Sequence, residues 1–289
     1  IFKTKLKLNL LYRILFSIRI SLYIQKLKYK LILSRSVIPS IFLSITGKKN
    51  ILELHTEVTG FTSLIFKYKK LRNNLRYVVL NSKLIKLLNL KKENTLILDD
   101  AVEVEDFKFN KNKINLTCAY SGSFAAGKGL NLILNLAEKL PYIKFHIYGN
   151  MNTLDTKLEK KKIPKNIIFK GYLNYNKLVK ILPRYKVLLM PYQSNVGVLI
   201  KNINVSTYFS PLKMFEYMAS GSTIIASNLK VYKKILIDNH NSIIIKSNDQ
   251  KKWVKMIKKV FYSKSFSKLG VNAQNDVKKF TWNLRVKKI

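Results

Sequence analysis

Short apolar runs of strand character alternate with helix-patterned stretches along almost the whole chain. The runs Lys30–Leu33, Asn50–Leu54, Arg76–Leu80 and Asn94–Leu98 are rich in Ile, Leu and Val and too short for buried helices. Between them, 37–45, 64–71 and 82–88 carry apolar residues at helical spacing. After an interruption the order resumes, with runs at 115–120, 144–148, 167–170, 186–190, 223–226 and 242–246. Helical patterns at 128–139, 154–162, 175–182, 212–218, 231–237 and from 250 onward separate them. Parallel strands need a crossover connection, usually a helix, and a parallel sheet needs helices over both faces. The pattern therefore predicts an α/β protein with two successive parallel layers.

The interruption, Asp99–Asn115, holds five acids between Asp99 and Asp106, then a Lys/Asn run, with no periodicity. It reads as a linker. With 289 residues the chain has room for about two domains. The expected division is 1–105 and 106–270, with 271–289 as a terminal helix returning toward the first domain. The chain opens at Ile1 and closes at Lys287-Lys288-Ile289, which reads as a fragment whose start is missing.

Fifty-four Lys+Arg against 15 Asp+Glu give +39. That balance suits an anionic partner, nucleic acid or an acidic membrane surface. Yet only 7 of the 54 are Arg, the residue whose planar fork reads bases and phosphates. Lys, Ile, Asn, Phe and Tyr share AT-rich codons, so a biased genome accounts for much of the excess. The lysines are spread over many helices, there is no aromatic-glycine RNA motif, and no nucleic-acid partner is expected. The one cysteine, Cys118, sits in an apolar run and reads as a buried thiol. It excludes a disulfide framework and a cysteine zinc cluster, and points to a reducing, cytoplasmic compartment. No 18-residue apolar stretch exists. In Leu10–Ile24, the residues Leu11, Ile14, Leu15, Ile18 and Leu22 share one helical face. That face either packs on a sheet or lies on a membrane surface.

Two segments carry chemistry. Tyr120-Ser121-Gly122-Ser123-Phe124-Ala125-Ala126-Gly127-Lys128-Gly129 follows a strand and opens a helix. Glycines admit a ligand close to the backbone, a helix start offers N–H groups to an anion, and Lys128 adds a full charge. A tight turn with a solvated lysine is the alternative. Ser210-Pro211-Leu212-Lys213-Met214-Phe215-Glu216-Tyr217-Met218-Ala219-Ser220-Gly221 places Pro211 in a first helical turn with Ser210 as its cap. Lys213 and Glu216, three apart, form either a surface ion pair or part of a site at the carboxyl edge of the sheet.

The run Ser210–Gly221 resembles the signature of GT-B glycosyltransferases, specifically glycosyltransferase family 4, the group 1 enzymes. The Gly122–Gly129 segment is similar to that family's diphosphate loop. Further similarities are Gly171-Tyr172, Leu188-Leu189-Met190-Pro191, Ile224-Ile225-Ala226-Ser227 and Phe280-Thr281-Trp282-Asn283-Leu284-Arg285. The resemblance implies GT-B architecture, two Rossmann-like domains facing across a cleft, the N-terminal one incomplete. It implies a retaining, hexosyltransferase-type enzyme moving a sugar from a nucleotide-sugar donor to a glycan or lipid-linked acceptor, in cell-envelope polysaccharide or glycolipid synthesis. It implies no cofactor and no metal. A front-face mechanism, with the leaving phosphate helping to deprotonate the acceptor, is the one generally invoked for such enzymes.

On this resemblance Glu216 accepts hydrogen bonds from the donor ribose, while Lys128 and Lys213 neutralise the leaving diphosphate. Gly122, Ser123, Gly149, Gly171, Tyr172, Ser210, Pro211 and Leu212 line the donor site. His55, in Glu53-Leu54-His55 at a strand end, resembles the family's active-site histidine; a structural hydrogen bond is the alternative. Arg35 in Leu33-Ser34-Arg35-Ser36 resembles a cleft residue. The chain departs from the pattern at Tyr208, where a first Glu is usual, at Ser123 for an arginine and at Lys234 for a later Glu. The family's first strands and amino-terminal glycine loop are missing. An inactive or truncated nucleotide-binding relative is the alternative to an active transferase, and a basic nucleic-acid-binding module a remote third. The enzyme is expected in the cytoplasm, with an anionic membrane surface as a further partner.

Overall fold

The computed structural model describes residues 10–154, 162–193, 210–263 and 265–289. The expected helix 154–162 and the loop through Tyr208 therefore fall largely outside the described residues. Two compact units are present, one of residues 1–99 together with Ile289, the other of 100–288.

In the first unit, helices α1 (Leu10–Gln25), α2 (Val37–Ile45), α3 (Phe61–Lys67) and α4 (Ser82–Leu87) alternate with β1 (Leu33–Ser34), β2 (Asn50–Leu54), β3 (Leu75–Val79) and β4 (Thr95–Ile97). The strands pair in that order, all parallel. Every residue of β2 is buried, as a central parallel strand covered on both faces requires.

The apolar face expected of α1 is divided: Ile14 and Ile18 are half-buried, and the rest is turned outward. Leu11, Leu15 and Leu22 are 62%, 51% and 53% exposed, while Ser17 and Ser21 are buried. Small hydroxyl side chains let α1 pack closely on α2. Their polarity is absorbed within the helix: Ser17 Oγ donates to the Arg13 carbonyl at 2.6 Å and Ser21 Oγ to the Ser17 carbonyl at 2.7 Å.

The second unit contains β5 (Ile114–Ser121), α5 (Leu130–Lys139), β6 (Lys144–Tyr148), β7 (Ile167–Gly171), α6 (Tyr175–Ile181), β8 (Tyr185–Met190), α7 (Leu212–Ala219), β9 (Thr223–Ser227), β10 (Ile243–Ile245), α8 (Gln250–Tyr262), α9 (Ser267–Val277) and α10 (Trp282–Val286). Its six parallel strands run β10-β9-β8-β5-β6-β7. The strand order reverses between β5 and β8, and a doubly wound sheet opens a crevice at the carboxyl ends of such a pair. α5 packs on α8, and α9 on α7 and β9. Trp253, Tyr120, Tyr217, Phe145 and Phe215 are fully enclosed, as is Cys118, whose thiol burial pushes well above its usual range.

Two expectations change here. The segment read as a linker is built into the second unit: Asp100, Ala101, Val102 and Phe107 are buried, and Val102 bridges to Thr281. The stretch 231–237 forms turns instead of a helix. Asn241 explains the break: its Oδ1 accepts from the Ile237 amide at 2.7 Å, and its Nδ2 donates to the Ile235 carbonyl at 2.9 Å. Groups that would propagate a helix are thereby engaged elsewhere.

Candidate active site

The site forms where β5, β6 and β7 end. The Gly122 amide donates to the Tyr148 carbonyl and the Gly149 amide to the Gly171 carbonyl, each at 2.9 Å, so three strand ends are tied edge to edge. A side chain on Gly149 would lie 2.2 Å from the Gly122 carbonyl oxygen and 2.6 Å from the Phe124 ring. One on Gly122, at φ +148°, would lie 2.5 Å from Lys213 Nζ. Gly149 requires glycine because main chain and the Phe124 ring occupy the space, and Gly122 because of its positive φ. The loop is closed by Tyr120, whose hydroxyl donates to the Ser123 carbonyl at 2.8 Å.

α7 brings Lys213 and Glu216 to this loop. Tyr217, on the same helix, anchors it to β5 by accepting from the Ser121 amide at 2.8 Å. The helix begins at Leu212 with Pro211 itself in the cap position, and no side chain caps its first turn. Ser210 does not cap as expected, because its Oγ accepts from the Asp100 amide at 3.1 Å. The first turn thus keeps the partial positive charge of a helix start.

Lys213 is only 7% exposed, and its Nζ has no hydrogen-bond partner. Nζ sits 3.8 Å from the Tyr120 ring centroid and 4.8 Å from that of Tyr192. Burial holds its pKa well below the usual lysine range; Lys128 adds to the depression and Glu216 opposes it. Lys128 Nζ lies 4.6 Å from the Tyr192 centroid, and burial lowers its pKa to about 8. Glu216 is raised by burial, with Lys213 pulling the other way. The surface ion pair considered for Lys213 and Glu216 is absent among the described residues, and Lys213 is inside the protein.

A pocket of about 320 Å³ opens here, lined by Gly122, Ser123, Gly149, Tyr172, Lys213 and Glu216 among others. Of the other residues singled out from sequence, Gly171 lies at the end of β7 in the left-handed region, φ +72°, with open space beside it. Leu212 is 47% exposed at the start of α7. His55 belongs to the first unit, immediately after β2, with Nε2 2.5 Å from Glu53 Oε1. Arg35 is exposed after β1 and Lys234 is exposed in the 231–237 turns. Sequence reasoning missed Tyr120, Tyr192 and Thr153, whose Oγ1 accepts from the Phe124 amide at 2.9 Å. Tyr120 stands at the end of β5 inside the first motif, which is the signal that was available, whereas Tyr192 and Thr153 lie outside both motifs.

Chemically the pocket joins a glycine-rich backbone, one buried lysine and one carboxylate, while Lys128, outside its lining, meets the same Tyr192 ring as Lys213. The cations suit an anion of diphosphate size, and the carboxylate suits vicinal hydroxyls. The chain is similar in structure to several solved proteins. HepE of Anabaena, crystallised with UDP and glucose, superposes with a TM-score of 0.73 at 11% identity, over 99% of this chain and 83% of that one. A glycosyltransferase from Rickettsia africae ESF-5 gives 0.75 at 12% identity, over 100% and 82%. Sucrose-phosphate synthase of Thermosynechococcus elongatus gives 0.72 at 14%, over 94% and 76%. At such identities the likeness establishes the fold, which is GT-B. No curated protein matches the sequence. The sequence profile "Glycosyl transferases group 1" matches residues 102–276, more than half of the chain and nearly all of the unit that holds the pocket. The chain belongs to the group 1 glycosyl transferases, and it is a glycosyltransferase.

Proposed function

We propose that the protein is a retaining, hexosyltransferase-type member of glycosyltransferase family 4, acting on a nucleoside diphosphate sugar and a glycan or lipid-linked acceptor of cell-envelope polysaccharide or glycolipid synthesis. The observation that carries this reading is the buried, unpartnered Lys213 ammonium facing a glycine-lined pocket that also holds Glu216. In the reaction the bond from the sugar C1 to the diphosphate oxygen breaks, and the oxygen keeps the electron pair. The bond from C1 to the acceptor oxygen forms on the same face, and the acceptor proton passes to the leaving phosphate. Lys128 and Lys213 neutralise the developing charge without a resident metal or cofactor. Glu216 accepts from the ribose hydroxyls. The glycines 122, 149 and 171, Ser123, Tyr172 and the Ser210-Pro211-Leu212 backbone shape the donor site. His55, oriented by Glu53, hydrogen-bonds the donor sugar or the incoming hydroxyl. The UDP found with HepE makes uridine nucleotides the first donors to try. A thermal-shift screen of nucleotide sugars on the full chain selects the donor. Turnover of that donor by Glu216→Ala at the wild-type rate overturns the assignment.

We also propose that an anionic membrane surface on the cytoplasmic side is a partner. The outward face of α1 supports it: Leu11, Tyr12, Leu15, Phe16, Leu22 and Tyr23 are each more than half exposed. No Asp or Glu occurs before Glu53, while Arg13, Arg19, Lys26, Lys28 and Lys30 lie on or just beyond the helix. Apolar residues inserting at the headgroup boundary and cations reaching anionic lipids are complementary contributions. Sedimentation with anionic and with neutral vesicles tests this; equal binding to both, or none to either, removes it. No described helix is long and apolar enough to cross a membrane.

A further inference from the structure

We infer that Tyr192 is a positioning residue whose ring gathers the two donor-site lysines, so that the diphosphate meets both charges already converged. This rests on the reading of Lys128 and Lys213 as diphosphate ligands given above. The geometry is that of one ring serving two cations. Lys128 Nζ and Lys213 Nζ lie 4.6 and 4.8 Å from the same centroid, and the Tyr120 ring meets Lys213 from 3.8 Å. Both distances to Tyr192 are inside the range where an aromatic face attracts an ammonium, and the attraction is largest where water is excluded. Tyr192 is 5% exposed and Lys213 is 7% exposed. Two like charges on flexible four-carbon stems repel, and a shared ring face offsets part of that repulsion.

The ring is held by main chain on both sides. Just before it, the Pro191 carbonyl oxygen comes so close to Gly129 that a side chain there would lie 2.0 Å from it. Just after it, the Gln193 amide donates to the Gly127 carbonyl at 2.9 Å. The two left-handed glycines of the lysine loop, at φ +76° and +88°, thereby fix where the tyrosine stands. Behind it lies Tyr232, with ring centroids 6.5 Å apart. The glycine loop thus carries one lysine and clamps the aromatic that aligns the other. Converged cations gain affinity by sparing the diphosphate the ordering of two side chains.

The test titrates UDP, GDP and ADP into the full chain by calorimetry, for wild type, Tyr192→Phe, Tyr192→Leu and Lys213→Met, alongside transfer kinetics. Tyr192→Phe keeps the ring and is expected to bind within about twofold of wild type. Tyr192→Leu removes it and is expected to weaken nucleotide binding about tenfold and raise KM, with a smaller fall in kcat. Where Tyr192→Leu does not fold, Tyr192→Met, whose unbranched side chain adapts to an irregular gap, gives the same reading. A folded Leu or Met variant that binds as tightly as wild type, while Lys213→Met binds weakly, overturns the inference alone. Loss of binding in Tyr192→Phe equal to that in Tyr192→Leu also overturns it, because the hydroxyl and not the ring would then matter. Unchanged binding in Lys213→Met, or no nucleotide bound by wild type, overturns the diphosphate reading and the inference with it.

Discussion

Replacing Lys213 by Met should make the protein more stable and nearly unable to hold its donor. Lys213 keeps its ammonium 7% exposed with no hydrogen bond, and only two ring faces and a nearby carboxylate favour the charge. The balance of these contributions is given by the downward pKa: even with rings and Glu216, the fold disfavours the ammonium relative to water. A buried polar group without a partner costs about 1–3 kcal/mol. Met retains most of the apolar stem and removes that cost, so a gain of the same size is expected. For a unit of this size each kcal/mol moves a melting temperature by about 2–4 °C. The gain should depend on pH. Because the folded-state pKa lies below the unfolded one, the unfolded chain binds the extra proton, and wild-type stability rises with pH up to about 10.5. The advantage of the Met variant is therefore largest at and below neutral pH and shrinks as pH rises toward 10.5. Losing charge-assisted hydrogen bonds to a diphosphate should weaken nucleotide binding by roughly ten- to a hundredfold. Thermal melts of both proteins from pH 6 to 10, with calorimetric titration at pH 7, measure both effects. A Met variant that melts below wild type at pH 7, or an advantage that grows with pH, refutes the reasoning.

Glu216→Ala should abolish transfer and weaken donor binding about tenfold, read by product formation and by titration. Gly149→Ala should lose nucleotide binding, since its new Cβ would lie 2.2 Å from the Gly122 carbonyl oxygen; Gly171→Ala, with open space but φ +72°, should cost about 1–2 kcal/mol of stability instead, which melts distinguish. Lys128 loses its proton as pH rises through about 8, so nucleotide affinity should fall between pH 7 and 9.5 in the wild type and stay flatter in Lys128→Met. Trp253→Ala, at the centre of the second unit, should cost about 3–5 kcal/mol by denaturant unfolding.

The α/β class is legible because parallel strands are continuous apolar runs: β8 and β9 are visible in the sequence as Lys186–Met190 and Thr223–Ala226. The turns at 231–237 are not, because Asn241, beyond the helical pattern, competes for their backbone groups. Nor is the outward face of α1, since apolar spacing says which residues share a side but not that Ser17 and Ser21 decide which side is buried. In the site, Lys128, Lys213 and Glu216 are marked by glycines and helix starts in their own segments. Tyr192 is not, because its role arises only when the end of β8 is drawn against the glycine loop from sixty residues away.

The acidic stretch after Asp99 has a practical meaning for dissecting the molecule. Its charges suggest a place to cut, yet Ala101, Val102 and Phe107 are core residues of the second unit, and Val102 completes a bridge with Thr281. A cloned second unit should start at or before Asp100; one started after Phe107 would leave a hydrophobic socket open and invite aggregation.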